Sequence, residues 1–305
     1  MRAFITGANG FVGKWLTDWL KSKDDEVGWL SEKVDINDDS EVYRSIESFR
    51  PDAIYHLAAL SHVGDSWGNP KEVFEVNALG TLTLTEVIKK LQSKTRLLIV
   101  SSAEVYGKVT ERDLPISETS ALNPATPYAV SKISAEFVGL QAIQNGLDVV
   151  IVRPFNHVGP MQTEKFVVSA LAKRIVEAKL KNSKQIVVGN LSSRRDYTDV
   201  RSVVKAYRLL IEKGKTGEIY NICSGVDRSV LDIANNLIEL AGVEIEIKTD
   251  PSLSRISDVP VLCGDPTKLK DATGWSVDID FNTTLKDTLD YWETVLTSDN
   301  IQDLI

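Results

Sequence analysis

Tyr128 and Lys132 stand one helical turn apart in the segment Tyr128-Ala129-Val130-Ser131-Lys132. On a helix, that spacing sets a phenol and an ammonium on the same face. A cation there favours the phenolate and lowers a pKa that is ordinarily about 10, toward the range where the phenol can exchange protons. Chance places such pairs in many helices, so the pair needs partners before it carries chemical meaning. Two other segments offer them. Arg96-Leu97-Leu98-Ile99-Val100 reads as a buried strand running into Ser101-Ser102-Ala103-Glu104. Ligands of an open parallel sheet lie beyond the carboxyl ends of its strands, which is where Ser102 would meet a substrate oxygen.

The second segment is at the N-terminus. Arg2–Thr6 is an apolar run too short for a helix, and it leads into Gly7-Ala8-Asn9-Gly10-Phe11-Val12-Gly13. Val12, Trp15, Leu16, Trp19 and Leu20 then recur with helical spacing. Glycines between a strand and a helix form a dinucleotide-binding fingerprint. Gly7 permits the tight turn, Gly10 admits the pyrophosphate, and Gly13 lets the helix pack close to the sheet. Free N–H groups at the helix N-terminus favour the phosphates. The alternative is a glycine-rich turn with no ligand.

Taken in order, these motifs resemble the extended short-chain dehydrogenase/reductase family. Gly7, Gly10, Gly13, His56-Leu57-Ala58-Ala59, Asn77, Ser102, Tyr128 and Lys132 carry the resemblance across nearly the whole chain. It implies a tyrosine acid/base, a serine that holds the reacting oxygen, and a lysine that lowers the tyrosine pKa and binds the nicotinamide ribose. The implied cofactor contacts are Gly7, Asn9, Gly10, Phe11, Val12, Gly13, Leu57, Ala58, Ala59, Asn77 and Phe155, with Tyr128 and Lys132. Asp35-Ile36 resembles the pair that touches adenine. An acid at the end of the second strand favours NAD and a cation there favours NADP. Ser31, Glu32 and Lys33 give no clear winner, so NADP(H) and NAD(H) both stay open.

Arg153-Pro154-Phe155-Asn156-His157-Val158-Gly159-Pro160 is similar to the nucleotide-sugar branch, in which the asparagine binds the diphosphate. Val188–Leu191, Arg195–Val200 and Arg255–Pro260 resemble enzymes of GDP-mannose derivatives, above all the GDP-6-deoxy-4-keto-D-mannose reductases that make GDP-D-rhamnose. The implied substrate contacts are Ser61, Asp65, Ser66, Asn156, Phe166, Arg195, Arg255 and Asp258. Arg195-Asp196 has a plainer reading as a surface ion pair of little energetic weight, and Arg255 has a plainer reading of the same kind. Ser61-His62-Val63-Gly64-Asp65-Ser66-Trp67 resembles the loop that lines the sugar pocket in that branch, which makes Trp67 a further candidate substrate contact.

Chemistry narrows the reaction. A 4,6-dehydratase needs an acid and a base beside the triad, and many such enzymes carry two acidic residues after the serine or threonine of this strand. Here the first position is Ala103, and a methyl cannot protonate a leaving hydroxide. Glu104 remains as acid/base or as a loop anchor, and GDP-mannose dehydratases keep only that glutamate. Carbonyl reduction needs only hydride, Tyr128 and Ser102, and a 4-epimerase would also manage with the triad. A dinucleotide sensor on the same fold is the non-catalytic alternative, and the presence of both Tyr128 and Lys132 counts against it.

These residues require a frame. Alternating apolar runs and helical stripes imply a doubly wound α/β sheet, and the resemblance makes it Rossmann-type with a smaller, interleaved C-terminal substrate lobe. Strands are expected at Ala53–Leu57, Leu97–Val100, Val149–Val152 and Ile219–Ile222, and helices at Val73–Leu91, Tyr128–Gln144 and Val203–Lys213. The dinucleotide domain is expected over 1–160 with a returning segment at 192–226, and the sugar lobe over 161–191 and 227–305. A net charge of −8 argues against nucleic-acid and membrane partners. Absence of a signal-peptide pattern and of any apolar run near ~18 residues points to the cytoplasm. Cys223 and Cys263 lack metal-ligand spacing and read as free buried thiols. His56, His62 and His157 form no metal signature; His56 reads as packed near the cofactor, and His62 as either a pocket contact or a surface residue. Packing of two helices per subunit into a homodimer is the expected assembly.

Overall fold

The computed structural model describes residues 1–250 and 259–302, with side chains to residue 298. Arg255 and Asp258 lie outside the described residues. The first half alternates strands and helices: β1 (Arg2–Thr6), α1 (Phe11–Lys21), β2 (Glu26–Trp29), α2 (Asp39–Phe49), β3 (Ala53–His56), α3 (Pro70–Phe74), α4 (Gly80–Lys90), β4 (Arg96–Val100), α5 (Pro127–Gln144) and β5 (Asp148–Pro154). The second half runs through β6 (Asn156–Val158), α6 (Val167–Leu180), β7 (Gln185–Val188), β8 (Arg194–Asp199), α7 (Val200–Lys213), β9 (Ile219–Ile222), β10 (Asp227–Ser229), α8 (Val230–Ala241), β11 (Glu246–Thr249), β12 (Val261–Leu262), α9 (Thr267–Thr273) and α10 (Phe281–Gln302).

Six strands form one parallel sheet in the order β2-β1-β3-β4-β5-β9. Successive strand residues feed opposite faces, as the period of two requires. Leu98, Val150 and Val152 join one core with α1 and α7, while Leu97, Ile99, Val149 and Ile151 join another with α2 and α4. Burial on both faces explains why these strands read as continuous apolar runs. The strand order reverses between β1 and β3, so the loops after these two strands flank a crevice.

One expected element is divided. The stripe at Val73–Leu91 is not a single helix: α3 gives way to a π-helical turn at Glu75–Leu79 before α4 begins. Within that turn the Asn77 amide faces inward, accepting from Leu60 N (2.8 Å) and donating to Leu60 O (3.1 Å) and Ser131 Oγ (2.9 Å). Periodicity cannot reveal an inserted residue whose reason is a contact with another helix.

A third core holds α6, α8 and α10 together through Leu171, Ile175, Ile233, Leu237, Leu285 and Trp292. β8 pairs with β6, β10 and β12 beside it. Within the stretch expected to belong wholly to the sugar lobe, Leu269 and Trp275 instead pack into the first core, and Trp275 Nε1 donates to Ser202 O (2.9 Å). No helix among the described residues is long and apolar enough to cross a membrane.

Candidate active site

The site is built at the carboxyl edge of β1, β3, β4 and β5. Gly7 adopts a φ of +78°, and a Cβ there would stand 2.8 Å from Ala58 N. At Gly13 a Cβ would stand 2.2 Å from Gly7 O. Only glycine lets the turn close against β3 and α1 close against the turn. Gly10 caps α1 with no side-chain hydrogen bond, and no acid occupies the first turn. The helix thus presents its N–H groups toward the crevice, which suits a pyrophosphate. These features fit a dinucleotide.

Behind the turn lies a hydrogen-bonded chain. Thr6 Oγ1 meets His56 Nδ1 (2.8 Å), and His56 Nε2 meets Thr81 Oγ1 (3.0 Å). Thr81 donates its hydroxyl hydrogen to Asn77 O (2.7 Å), so Nε2 of the neutral imidazole is assigned the proton. Burial, with Lys132 adding to it, pushes the His56 pKa down to about 3, so the ring stays neutral. His56 is thereby a structural tie between β1, β3 and α4.

A cleft of about 410 Å³ joins the glycine turn to the triad. Gly7, Gly10, Phe11, Val12, Gly13, Leu57, Ala58, Ala59 and Phe155 line it, as do Ser102, Glu104, Tyr128 and Lys132. Of the expected substrate contacts, Ser61, Asn156 and Phe166 line the same cleft. Thr126 caps α5 by accepting Ala129 N (3.1 Å), and Pro127 opens its first turn. That start fixes the rotation of the helix and turns Tyr128 and Lys132 inward together.

Ser102 and Tyr128 line the same cleft, and Ser102 Oγ accepts from Glu104 N (3.2 Å). The expectation of a lowered Tyr128 pKa is overturned. Burial pushes it up to about 12, the Ser102 hydrogen bond opposes the rise, and the Glu104 charge adds to it. Lys132 does not counter this because its ammonium is engaged elsewhere: Nζ donates to Val100 O (2.8 Å) and stands 5.9 Å from the Tyr128 ring centroid. Burial lowers the Lys132 pKa to about 8, against the opposing pull of Glu136.

Glu136 belongs to a buried network under the triad. It receives Arg153 Nε (2.9 Å) and Nη2 (2.7 Å), and the Ser101 hydroxyl. Arg153 Nη1 also donates to Tyr106 OH (3.1 Å) and Glu118 O (3.2 Å), and Tyr106 donates to Asn221 Oδ1 (2.7 Å). Burial works against the Arg153 cation, and Glu136 outweighs it, holding the guanidinium above its usual pKa.

Other expected residues fall outside the cleft lining. Asn9 Nδ2 donates to Glu32 Oε2 (2.8 Å). Asp35 accepts Asn37 N (2.9 Å), and Ile36 is buried against Gly80. Asp65 is exposed at the rim, held by Lys165 and His62, each at 2.9 Å. Ser66 is buried and donates to Val63 O (2.7 Å). His62 packs edge-on against Phe166, which places it at the cleft mouth, and Trp67 is exposed. Arg195 Nη1 donates to Arg194 O (2.9 Å). Its neighbour Asp196 is no surface ion pair: fully buried, it accepts Ser224 N, Ser224 Oγ, Gly225 N and Gly264 N. It clamps β8 to the loop after β9, and burial raises its pKa despite those bonds.

Sequence reasoning missed His157, Gln162 and Tyr207, all of which line the cleft, while Val63 lies in the loop that resembles a sugar-pocket lining. His157 stacks on Phe11 with ring centroids 6.2 Å apart, tying β6 to the glycine turn. Its place beside Asn156 was the one available signal.

Comparison with known proteins agrees with this geometry. Residues 29–288 match the GDP-mannose 4,6 dehydratase family. A GDP-6-deoxy-D-mannose reductase from Pseudomonas aeruginosa is 36% identical over 298 residues, covering 96% of this chain and 97% of that one. A GDP-6-deoxy-D-talose 4-dehydrogenase from Aggregatibacter actinomycetemcomitans is 34% identical, covering 90% and 92%. Among solved structures, RMD from Pseudomonas aeruginosa complexed with NADPH superposes with a TM-score of 0.90 at 34% identity, covering 96% and 99%. Likeness on this scale takes in the sheet, the cleft and the second lobe alike, and the chain belongs to the GDP-mannose 4,6 dehydratase family of the extended short-chain dehydrogenase/reductases.

Proposed function

We propose that this protein reduces the 4-keto group of GDP-4-keto-6-deoxy-D-mannose to GDP-D-rhamnose, using NADH or NADPH. The carrying observation is a phenol and a serine hydroxyl, Tyr128 and Ser102, in the cleft that also holds the glycine turn and Lys132. The similar reductase and 4-dehydrogenase described above, both named for GDP-6-deoxy sugars, support the choice. A nicotinamide bound in this cleft supplies the hydride. Ser102 holds the carbonyl oxygen, and Tyr128 donates its proton as charge develops there. A raised phenol pKa suits this direction, because Tyr128 is protonated at neutral pH. Lys132 brings a positive charge to the same wall of the cleft, and Asn77 fixes the loop at Leu60 relative to α5.

Glu104 is the observation that would favour dehydration, since it lines the same cleft. Ala103, buried beside it, offers no second acid. Supplying GDP-mannose, GDP-4-keto-6-deoxymannose and a UDP-sugar separately tests the choice. Only the keto-sugar should consume reduced cofactor; turnover of GDP-mannose without added reductant would restore the dehydratase.

The proposed assembly is a homodimer through α4 and α5. Phe137 is 60% exposed, and Leu79, Leu82 and Val130 are also exposed on these neighbouring elements, which leaves apolar surface that suits a second copy. Phe137→Glu should shift sedimentation from dimer to monomer, and an unchanged sedimentation coefficient would contradict this interface. Two unbridged buried thiols and a net charge of −8 support a cytoplasmic setting.

A further inference from the structure

We infer that Gln162 donates a hydrogen bond to an uncharged oxygen of the hexose, which makes it a recognition residue for the sugar rather than for the nucleotide. The inference rests on the GDP-sugar reading above and adds to it a contact that no motif marked. Gln162 lies on the loop between β6 and α6. It is 5% exposed, yet it lines the cleft with Ser102, Tyr128 and Asn156. Thr163 N donates to its Oε1 (3.0 Å). An N–H needs an acceptor, so the carbonyl end of the amide is the end held there, and the NH2 end is the one left over. Among the described residues that NH2 has no acceptor. Buried polar groups are nearly always paired, so this donor fits a molecule that enters the cleft.

The loop is set before any ligand arrives. Gln162 O accepts Ser169 Oγ (2.6 Å) on α6, and Ser169 Oγ accepts Trp292 Nε1 (2.9 Å) from α10. Met161, just before it, has a φ of +72°, which residues bearing a side chain seldom adopt. Strain of that kind persists only where neighbouring structure over-determines it, and it collects at ligand clamps. The chemistry of the amide then selects its partner. A diphosphate draws cations and helix N-termini, whereas a neutral NH2 suits a hydroxyl or carbonyl oxygen. The reacting carbonyl must lie at Ser102 and Tyr128, so the rest of the hexose faces the remaining lining of a cleft of about 410 Å³, to which Gln162 belongs. A ligand without the matching oxygen leaves the donor buried and unpaired, which costs affinity.

Two variants separate the ligand contact from the fold. Gln162→Glu keeps the side-chain length and an oxygen that can accept Thr163 N, and it replaces the donor with a second acceptor. Gln162→Met keeps the volume and adds no charge. Calorimetric titration of the full chain with GDP and with GDP-mannose, reduced cofactor present, reads the contact. GDP-mannose should bind at least about tenfold more weakly to either variant, while GDP binding to Gln162→Met stays within about threefold of the parent. KM for the keto-sugar should rise in step, with kcat changed by less than about threefold. Unchanged GDP-mannose binding in either folded variant would overturn the inference. So would an equal loss for GDP in Gln162→Met, which would put the donor on the diphosphate, or weakened cofactor binding instead, which would put it on the dinucleotide. These outcomes leave the GDP-sugar reading standing. A parent that binds neither GDP nor GDP-mannose would overturn that reading and the inference together.

Discussion

Tyr128→Phe should lower the rate of keto-sugar reduction by about a thousandfold while leaving cofactor affinity nearly unchanged. The substitution removes one oxygen from a buried ring and creates no appreciable cavity. What it removes is the proton donor that lines the cleft beside Ser102. Because burial raises the phenol pKa to about 12, the donor stays protonated across the working range and imposes no alkaline limit below that value. Lys132 does impose one. Its pKa, lowered to about 8 by burial, means the ammonium is present below that pH and is lost as pH rises through it. The wild-type rate should therefore fall above about pH 8, well before the tyrosine titrates. A flat profile through pH 8–10, or a Tyr128→Phe variant within about tenfold of the parent, would contradict these assignments.

The largest effect on stability is expected at Glu136. Its carboxylate and the Arg153 guanidinium are both almost fully buried. Glu136→Ala leaves that guanidinium inside the protein with hydrogen bonds only to Tyr106 and a backbone carbonyl. Breaking a buried pair from one side costs about 3–5 kcal/mol, because an uncompensated charge stays behind. For a chain of this size the thermal midpoint should fall by roughly 10 °C. Replacing both partners, Glu136→Leu with Arg153→Met, removes the stranded charge and should recover most of the loss. Activity should not recover with it, since Ser101, beside Ser102, loses its acceptor on Glu136. Thermal unfolding followed by circular dichroism checks the series. A single variant within about 1 kcal/mol of the parent would show that the pair contributes little.

What could be read in advance divides along physical lines. The glycine turn and the Tyr128–Lys132 spacing are local: a strand, a tight turn and a helix follow one another in the chain, so their pattern survives in sequence. The sheet was legible for a related reason, since strands buried on both faces leave unbroken apolar runs such as Leu97–Val100. Features joining distant segments were not. Nothing around Glu136 marks it as the partner of Arg153, and on a helix it reads as a polar face. Asp196 reads as half of a surface pair until the loop after β9 folds over it. The π turn around Asn77 hides inside a helical stripe because the partners of its amide, Leu60 and Ser131, lie in other segments. The Tyr128 pKa was misjudged because spacing shows that Lys132 is near, but not that Val100 holds its ammonium.

The central claim is that hydride passes to C4 of a GDP-keto-sugar and stays there. The most direct measurement supplies GDP-4-keto-6-deoxy-D-mannose with cofactor deuterated at the transferring position and locates the label in the product by NMR. The account predicts one deuterium, on C4 of GDP-D-rhamnose, with stoichiometric oxidation of the cofactor. Deuterium at another carbon, or turnover with no net oxidation of the cofactor, would contradict it.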